Sequence, residues 1–179
     1  FRESPNTAVH ILLDSSGSMT DSGLMLANAV CYAVGKALQG ISGVNLGITA
    51  FPGANRAKRG TTVAPVLRHG EKLTARFPEI AYGMTPMAES LWWVMQQMCL
   101  LRENRKIILI ITDGEPDSIP AAQEAFKQAQ KKGFECYGLG IMCPSISTLL
   151  PHASRVVETL PQLAPALFEL LEGALRRKA

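Results

Sequence analysis

Short apolar runs and longer stretches with helical spacing alternate along this chain. The first run, 8–13, is followed by apolar residues spaced for one helix face between Leu24 and Leu38. This alternation predicts a mainly parallel sheet covered by helices. The runs that predict strands lie at 8–13, 44–51, 62–68, 107–112, 134–141 and 155–158. Helix starts are predicted at 20–22, Pro86, Ser118 with Pro120, and about Pro161, because cap residues or proline stand there.

Two of these strands refine the predicted topology. The run at 62–68 follows 44–51 closely enough to pair with it as a hairpin, which gives one antiparallel edge strand. The run at 107–112 is almost wholly apolar and β-branched, which is typical of a central strand buried on both faces. We therefore expect a doubly wound, Rossmann-like α/β fold. Its six-stranded sheet is mostly parallel, with helices on both faces, and 1–179 forms a single domain.

Composition narrows the classes of protein and partner. A chain of 179 residues with 47% apolar and 18% charged residues is typical of one globular domain. The net charge of +3 is too small to indicate a nucleic-acid partner, and no apolar stretch is long enough to span a bilayer. The chain begins at Phe1 without a signal-like segment, and we expect it to be a fragment of a longer protein.

The four cysteines bear on the cellular compartment. Cys31 and Cys99 fall on apolar faces of predicted helices, where a thiol acts as a small hydrophobe. Cys136 and Cys143 flank one strand end and could form a local disulfide. Reduced thiols in a cytoplasmic protein are the simpler interpretation, since the spacing matches no disulfide or zinc framework.

Oxygen-bearing side chains follow the first strand at regular spacing. Asp14, Ser16 and Ser18 in the run DSSGS come directly after 8–13, and Gly17 permits a tight turn between them. Such a loop directs hard oxygen ligands to one place, which suits a cation such as Mg²⁺. Thr85 precedes a predicted helix and Asp113 follows a predicted strand. Each residue could instead serve as an ordinary cap or turn residue.

Together, Asp14, Ser16, Ser18, Thr85 and Asp113 resemble the metal-ion-dependent adhesion site of von Willebrand factor A domains. The order and the structural contexts match across nearly the whole chain. The resemblance implies that these five residues hold Mg²⁺, with Mn²⁺ or Ca²⁺ as alternatives. It also implies that the bound cation captures an Asp or Glu carboxylate of a protein partner.

Charged residues on two loops are candidates for the rim of this site. Arg56, Lys58 and Arg59 follow the second predicted strand and could steer an acidic partner towards the cation. Glu115 and Asp117 come just after Asp113 and could be rim residues or charges at a helix start. A solvated hairpin loop remains an equal explanation for the basic residues.

The chain lacks the patterns of common enzymes. It has no phosphate-binding GxxxxGK and no GxSxG, and His10, His69 and His152 stand in unrelated contexts. The best catalytic alternative is a Mg²⁺-dependent phosphatase with Asp14 as nucleophile. Haloacid-dehalogenase-like phosphatases have a second aspartate two residues later, where this chain has Ser16. We therefore expect a binding module and no catalysis.

The run Thr-Asp-Gly-Glu-Pro-Asp at 112–117 and the short leucine-rich ending look like one bacterial branch of the family. They resemble the C-terminal domain of the cobalt chelatase accessory subunit, which belongs to cobalamin biosynthesis, and subunits that work with MoxR-type AAA+ ATPases. That resemblance implies a cytoplasmic docking domain whose partner is the ATPase or the enzyme it remodels. The alternative is an extracellular adhesion or matrix-binding domain.

Overall fold

The computed structural model describes residues 6–53 and 62–177. The strands are β1 (Thr7–Asp14), β2 (Val44–Phe51), β3 (Ala64–Leu67), β4 (Arg105–Thr112), β5 (Glu135–Ile141) and β6 (Ser154–Val157). The helices are α1 (Thr20–Gln39), α2 (Met87–Cys99), α3 (Ile119–Lys131), α4 (Ser145–Leu149) and α5 (Leu163–Arg176). Short 3-10 turns at Gly17–Met19 and Leu160–Gln162 precede α1 and α5.

All six strands form one sheet in the order β3-β2-β1-β4-β5-β6. Neighbouring strands are parallel except β3, which pairs antiparallel with β2 at one edge. The predicted mostly parallel α/β sheet with one antiparallel edge strand is therefore confirmed. The strand order reverses between β1 and β4, and an open α/β sheet offers a ligand crevice at the carboxyl ends of the strands at such a point.

The helices cover both faces of the sheet, as predicted. Side chains alternate along a strand, so Val9, Ile11 and Leu13 of β1 pack on the face covered by α1 and α5. Ala8 and Leu12 pack on the opposite face with residues of α2, α3 and α4. Because β1 and most of β4 are buried on both faces, polar groups at their ends are held in a rigid setting.

Three local features bear on the sequence predictions: one was missed, one is refined and one is confirmed. The helix α4 was not predicted, because five residues are too few to show helical periodicity. The last helix begins at Leu163, after a 3-10 turn that contains Pro161. The predicted cap of α3 is confirmed, since Ser118 Oγ accepts a 3.3 Å hydrogen bond from the Ala121 amide.

The cysteines are all free, so Cys136 and Cys143 form no disulfide. The prediction that Cys99 lies on an apolar face was wrong, and its side chain is exposed. It is the last residue of α2, where the chain leaves the core and the next residue, Leu100, is 84% exposed. In the described part of the chain, no helix combines the length and the apolar character needed to cross a membrane.

Candidate metal centre

Asp14 stands at the carboxyl end of β1, and its side chain is fully buried. The register pairs Leu13 with Ile111, which brings Asp14 beside Thr112 at the end of β4. The Thr112 hydroxyl donates a 2.6 Å hydrogen bond to Asp14 Oδ2, and the Ser16 amide donates one of 2.8 Å to Asp14 Oδ1. Both carboxylate oxygens are thereby oriented by the protein.

The electrostatic setting of Asp14 favours a cation beside it. Burial raises the pKa of Asp14 to about 6, and the negative charge of Asp113 adds to this rise. Hydrogen bonds from Ser16 and Thr112 lower the pKa again, but by less than burial raises it. A carboxylate in this setting is poorly compensated when ionised. A divalent cation is the type of group that would stabilise its charged form.

The next two serines connect Asp14 to the loop after β4. Ser16 Oγ and Ser18 Oγ lie 3.1 Å apart, and Ser18 Oγ donates a 2.7 Å hydrogen bond to Asp113 Oδ1. Ser16 is buried, whereas Ser18 is exposed and Asp113 is half-buried. Burial raises the pKa of Asp113, and the hydrogen bond from Ser18 opposes that rise. The site therefore opens to solvent on the side of Ser18 and Asp113.

Backbone hydrogen bonds bring the loop that carries Thr85 to the same place. The Gly17 amide donates to the Gly83 carbonyl at 3.0 Å, and the Tyr82 amide donates to the Ser15 carbonyl at 3.0 Å. A Cβ added to Gly114 would lie 3.5 Å from Ser18 Oγ and 3.7 Å from Thr85 Oγ1. The two hydroxyls therefore lie beside the same backbone position, and the fold assembles all five predicted ligand residues at one crevice.

The predicted rim residues have different positions. Glu115 and Asp117 are both exposed on the loop after β4. Asp117 also accepts a 2.8 Å hydrogen bond from the Thr85 amide through Oδ1, a contact that the sequence did not reveal. The basic residues Arg56, Lys58 and Arg59 lie outside the described residues.

Sequence reasoning missed two groups of polar contacts. Thr112 was assigned only to a strand, although a hydroxyl at the last strand position could have suggested a contact with Asp14 on the neighbouring strand. The statement that His10 and His69 stand in unrelated contexts was wrong. His10 Nδ1 and His69 Nε2 are 2.8 Å apart, in contact with Thr49 and away from the five ligand residues. No local signal in the sequence links them.

The donor set combines two carboxylates with the hydroxyls of Ser16, Ser18 and Thr85. Within 6–53 and 62–177 there is no group of three or more His, Cys, Asp or Glu side chains that could hold a metal. A cation here would thus depend on hydroxyl oxygens, and such a set suits a hard cation that retains several waters. The residues present fit a Mg²⁺-type ion.

A comparison with protein-family models identifies the family to which this fold belongs. The family model described as von Willebrand factor type A domain matches residues 8–166. A search of curated proteins finds no match.

Three solved structures are similar to this chain at low sequence identity. Pilus adhesin SpaC from Lactobacillus rhamnosus GG, in an open conformation, gives a TM-score of 0.80 at 14% identity, over 97% of this chain and 30% of that one. Proximal thread matrix protein 1 from the mussel byssus, with a zinc-occupied MIDAS motif, gives a TM-score of 0.77 at 11% identity, over 96% of this chain and 46% of that one. Manganese-loaded TRAP protein from Plasmodium vivax gives a TM-score of 0.67 at 15% identity, over 94% of this chain and 74% of that one. This chain thus spans about half the length of the mussel protein.

Proposed function

Because this chain belongs to the von Willebrand factor type A domain family, whose members are metal-dependent adhesion and protein-interaction modules, we propose that it binds a protein partner through a divalent cation. The cation would be held by Asp14, Ser16, Ser18, Thr85 and Asp113, and the partner would offer an Asp or Glu carboxylate. The observation that carries this proposal is the single crevice that joins these five residues at the switch point between β1 and β4.

The charge balance of the donor set supports carboxylate capture. When bound, the cation supplies a positive charge and an exchangeable coordination position. Both oxygens of Asp14 accept hydrogen bonds, from Ser16 and Thr112, and each keeps a second lone pair for the cation or for a water bound to it. Three of the five donors are neutral hydroxyls, so where the aspartates act through bound waters the cation keeps positive character and an open position for an anion. The anion would approach from the open side of the site, where Ser18 and Asp113 lie, and would bind the cation itself.

We propose Mg²⁺ as the cation of this site, with Mn²⁺ or Ca²⁺ as alternatives. The oxygen-only donor set supports a hard cation. The two similar structures whose metals are named contain zinc and manganese, which supports a divalent ion without selecting one.

Our more specific proposal is a cytoplasmic docking domain of a bacterial complex linked to an AAA+ ATPase, such as a cobalt or magnesium chelatase. Its support is the run at 112–117 and the free state of the four cysteines. A MoxR-type ATPase, or the enzyme that it remodels, would provide the acidic residue. In this role the domain is not itself catalytic, and Ser16, where haloacid-dehalogenase-like phosphatases have a second aspartate, supports that part of the proposal.

Extracellular adhesion is the second candidate function. The similarity to a pilus adhesin and to a byssus thread protein favours it. Both candidates use the same site and differ in the partner and the compartment. Co-purification with an AAA+ ATPase supports the docking role, whereas retention on a blot of matrix proteins supports adhesion. Hydrolysis of a phosphate monoester that depends on Asp14 would instead support the phosphatase alternative.

Calorimetric titration of Mg²⁺ into EDTA-stripped protein tests the shared proposal. We expect heat of binding in the unchanged protein, none in Asp14→Ala, and unchanged heat in Glu124→Gln. Glu124 is a matched control because it is an exposed carboxylate on α3 whose hydrogen-bond partner is Gln128.

A second titration in the presence of a short acidic peptide completes the test. Binding that appears only with the peptide supports a site completed by a partner carboxylate. Absence of heat in both titrations contradicts the proposal, as does peptide binding that persists in EDTA or in Asp14→Ala.

A further inference from the structure

Asp117 and Thr85 are joined by two hydrogen bonds that run in opposite directions. The Thr85 amide donates to Asp117 Oδ1 at 2.8 Å, and the Asp117 amide donates to the Thr85 carbonyl at 3.0 Å. The residues are 32 positions apart, so this contact joins two separate loops. One loop leads into α2 and the other connects β4 to α3.

This pair completes a closed set of contacts among the three loops of the metal centre. The loop after β1 is bonded to the loop after β4 by Ser18 and Asp113. It is bonded to the loop before α2 by the amide of Gly17, which donates to Gly83. The contact between Asp117 and Thr85 then links the loop after β4 to the loop before α2. Each loop is thus tied to both others.

The position of Thr85 depends on this third link. Its neighbours on the amino-terminal side are fixed to the loop after β1, while the carbonyl of Thr85 also accepts from the Met87 amide at 2.8 Å, in the first turn of α2. Only the bonds to Asp117 hold the Thr85 peptide, within the described residues, against the loop that carries Asp113. The placement of this peptide fixes the Cα–Cβ bond of Thr85 and so limits the positions that its hydroxyl can reach.

We propose that Asp117 is a positioning residue of the metal centre, which fixes the Thr85 peptide by accepting a hydrogen bond from its amide and so places the Thr85 hydroxyl within reach of the cation. This inference rests on the proposed function. It assigns to Asp117 the role of a hydrogen-bond acceptor, in place of a metal ligand or a source of negative potential. An uncharged side chain with an oxygen in the same place should therefore perform the same task.

Neighbouring residues provide the controls that separate these roles. Asp117→Ala removes the acceptor and the charge. Asp117→Asn removes the charge but keeps an oxygen acceptor on a side chain of the same length. Glu115→Ala removes an equal charge from the same loop. Glu115 makes no hydrogen bond or ion pair with the rest of the described chain, so its loss changes the potential alone.

The test is the Mg²⁺ dissociation constant of each variant, measured by calorimetry with Mg²⁺ alone. We expect Asp117→Ala to weaken binding about 10-fold or more, the usual effect of losing a group that orients a metal ligand. Asp117→Asn and Glu115→Ala should stay within about 3-fold of the unchanged protein. Equal losses in Asp117→Ala and Asp117→Asn, or no loss in Asp117→Ala, would overturn the proposal.

Hydrogen exchange of the Thr85 amide gives a readout that needs no metal. We expect slow exchange in the unchanged protein and in Asp117→Asn, and exchange at least about 10-fold faster in Asp117→Ala. An unchanged protein that binds no Mg²⁺, either alone or with the acidic peptide present, would contradict the proposed function. Unaltered Thr85 exchange in Asp117→Ala would contradict the positioning role whatever the metal result.

Discussion

The last residues of two neighbouring parallel strands share a side-chain hydrogen bond, since Thr112 Oγ1 donates to Asp14 Oδ2 at 2.6 Å. The two residues are 98 positions apart in the chain. Thr112 Oγ1 also lies 3.1 Å from the Gly114 carbonyl, which could accept its proton instead. The contact orients a carboxylate that is fully buried. Burial of its charge lowers the stability of the metal-free protein.

We expect Asp14→Asn to abolish Mg²⁺ binding and to stabilise the metal-free protein at pH 7. An asparagine can accept from the Ser16 amide and donate to Thr112 Oγ1, whose proton then turns to the Gly114 carbonyl. The gain in unfolding free energy is at most about 3 kcal/mol, which corresponds to the rise in the pKa of Asp14 from 3.8 to about 6. Urea denaturation in EDTA measures it, and a clear loss of stability would contradict the expectation.

Under the proposed function, Mg²⁺ binds only the folded state, and it should therefore raise the thermal stability of the unchanged protein. At a concentration about 100-fold above the dissociation constant, the gain is about 2.7 kcal/mol, or about 5–10 °C in Tm for a chain of this size. EDTA should reverse the shift. Differential scanning fluorimetry checks this, with Asp14→Ala expected to show no shift and Glu124→Gln to behave as the unchanged protein.

A separate polar network fixes the protonation of His10 and His69. The Asn45 side chain donates to Glu103 Oε1 at 2.8 Å, and its Oδ1 accepts from the Gly70 amide at 3.1 Å. The Asn45 oxygen therefore faces His69 Nδ1, 3.3 Å away, which must carry a proton. His69 Nε2 is then left as an acceptor.

The same reasoning extends to His10. Its Nδ1 donates to His69 Nε2 at 2.8 Å, and its Nε2 accepts from the Thr49 hydroxyl at 2.8 Å. Both imidazoles are neutral in this arrangement. Burial lowers the pKa of His10 well below its usual value, with a smaller contribution from His69. Burial also lowers the pKa of His69, although Asn45 and the Glu103 charge act in the opposite direction.

Acid should therefore destabilise the protein through these histidines. The two histidines bind protons near pH 6.5 in the unfolded chain, but only at lower pH in the folded state. Their contribution to the unfolding free energy is therefore complete above pH 6.5 and declines as the pH falls below it. A histidine that stays neutral costs up to about 2 kcal/mol by pH 5. The raised pKa of Asp14 acts in the opposite sense below about pH 6, so the measurement belongs in the Asp14→Asn background.

Urea denaturation from pH 7.5 to 5 measures this effect, with His69→Gln as the comparison. Glutamine keeps an acceptor for His10 and does not titrate. We expect a shallower decline of the unfolding free energy with falling pH in His69→Gln. Identical pH profiles for the two proteins would show that His69 does not contribute.

Gly47 provides the space in which the two histidines meet. A Cβ added there would lie 2.5 Å from both His10 Nδ1 and His69 Nε2, closer than packed atoms approach. We expect Gly47→Ala to lower the unfolding free energy by about 1–3 kcal/mol. Gly173→Ala is the control, since a Cβ at that position in α5 meets nothing within 4 Å, and it should be neutral or mildly stabilising. Equal stability of the two variants would contradict the packing around Gly47.

Local patterns were sufficient to predict most of the fold. The apolar run 107–112 predicted a central strand, and β4 is buried between β1 and β5. Ser118 predicted the start of α3 because an N-cap depends on a hydrogen bond three residues away. The helix α4 was missed because it is too short for a periodic signal, and Cys99 was misplaced because the pattern does not show where a helix leaves the core.

The sequence by itself determined most of the elements, the edge hairpin and the oxygen side chains at the strand ends, since period, caps and turns act over a few residues. Only the tertiary structure decided which strand ends meet. It placed Thr112 on Asp14, Asp117 on Thr85 and His69 on His10, contacts between residues 32 to 98 positions apart. Such contacts depend on strand order and on the packing of both sheet faces, which no local pattern encodes.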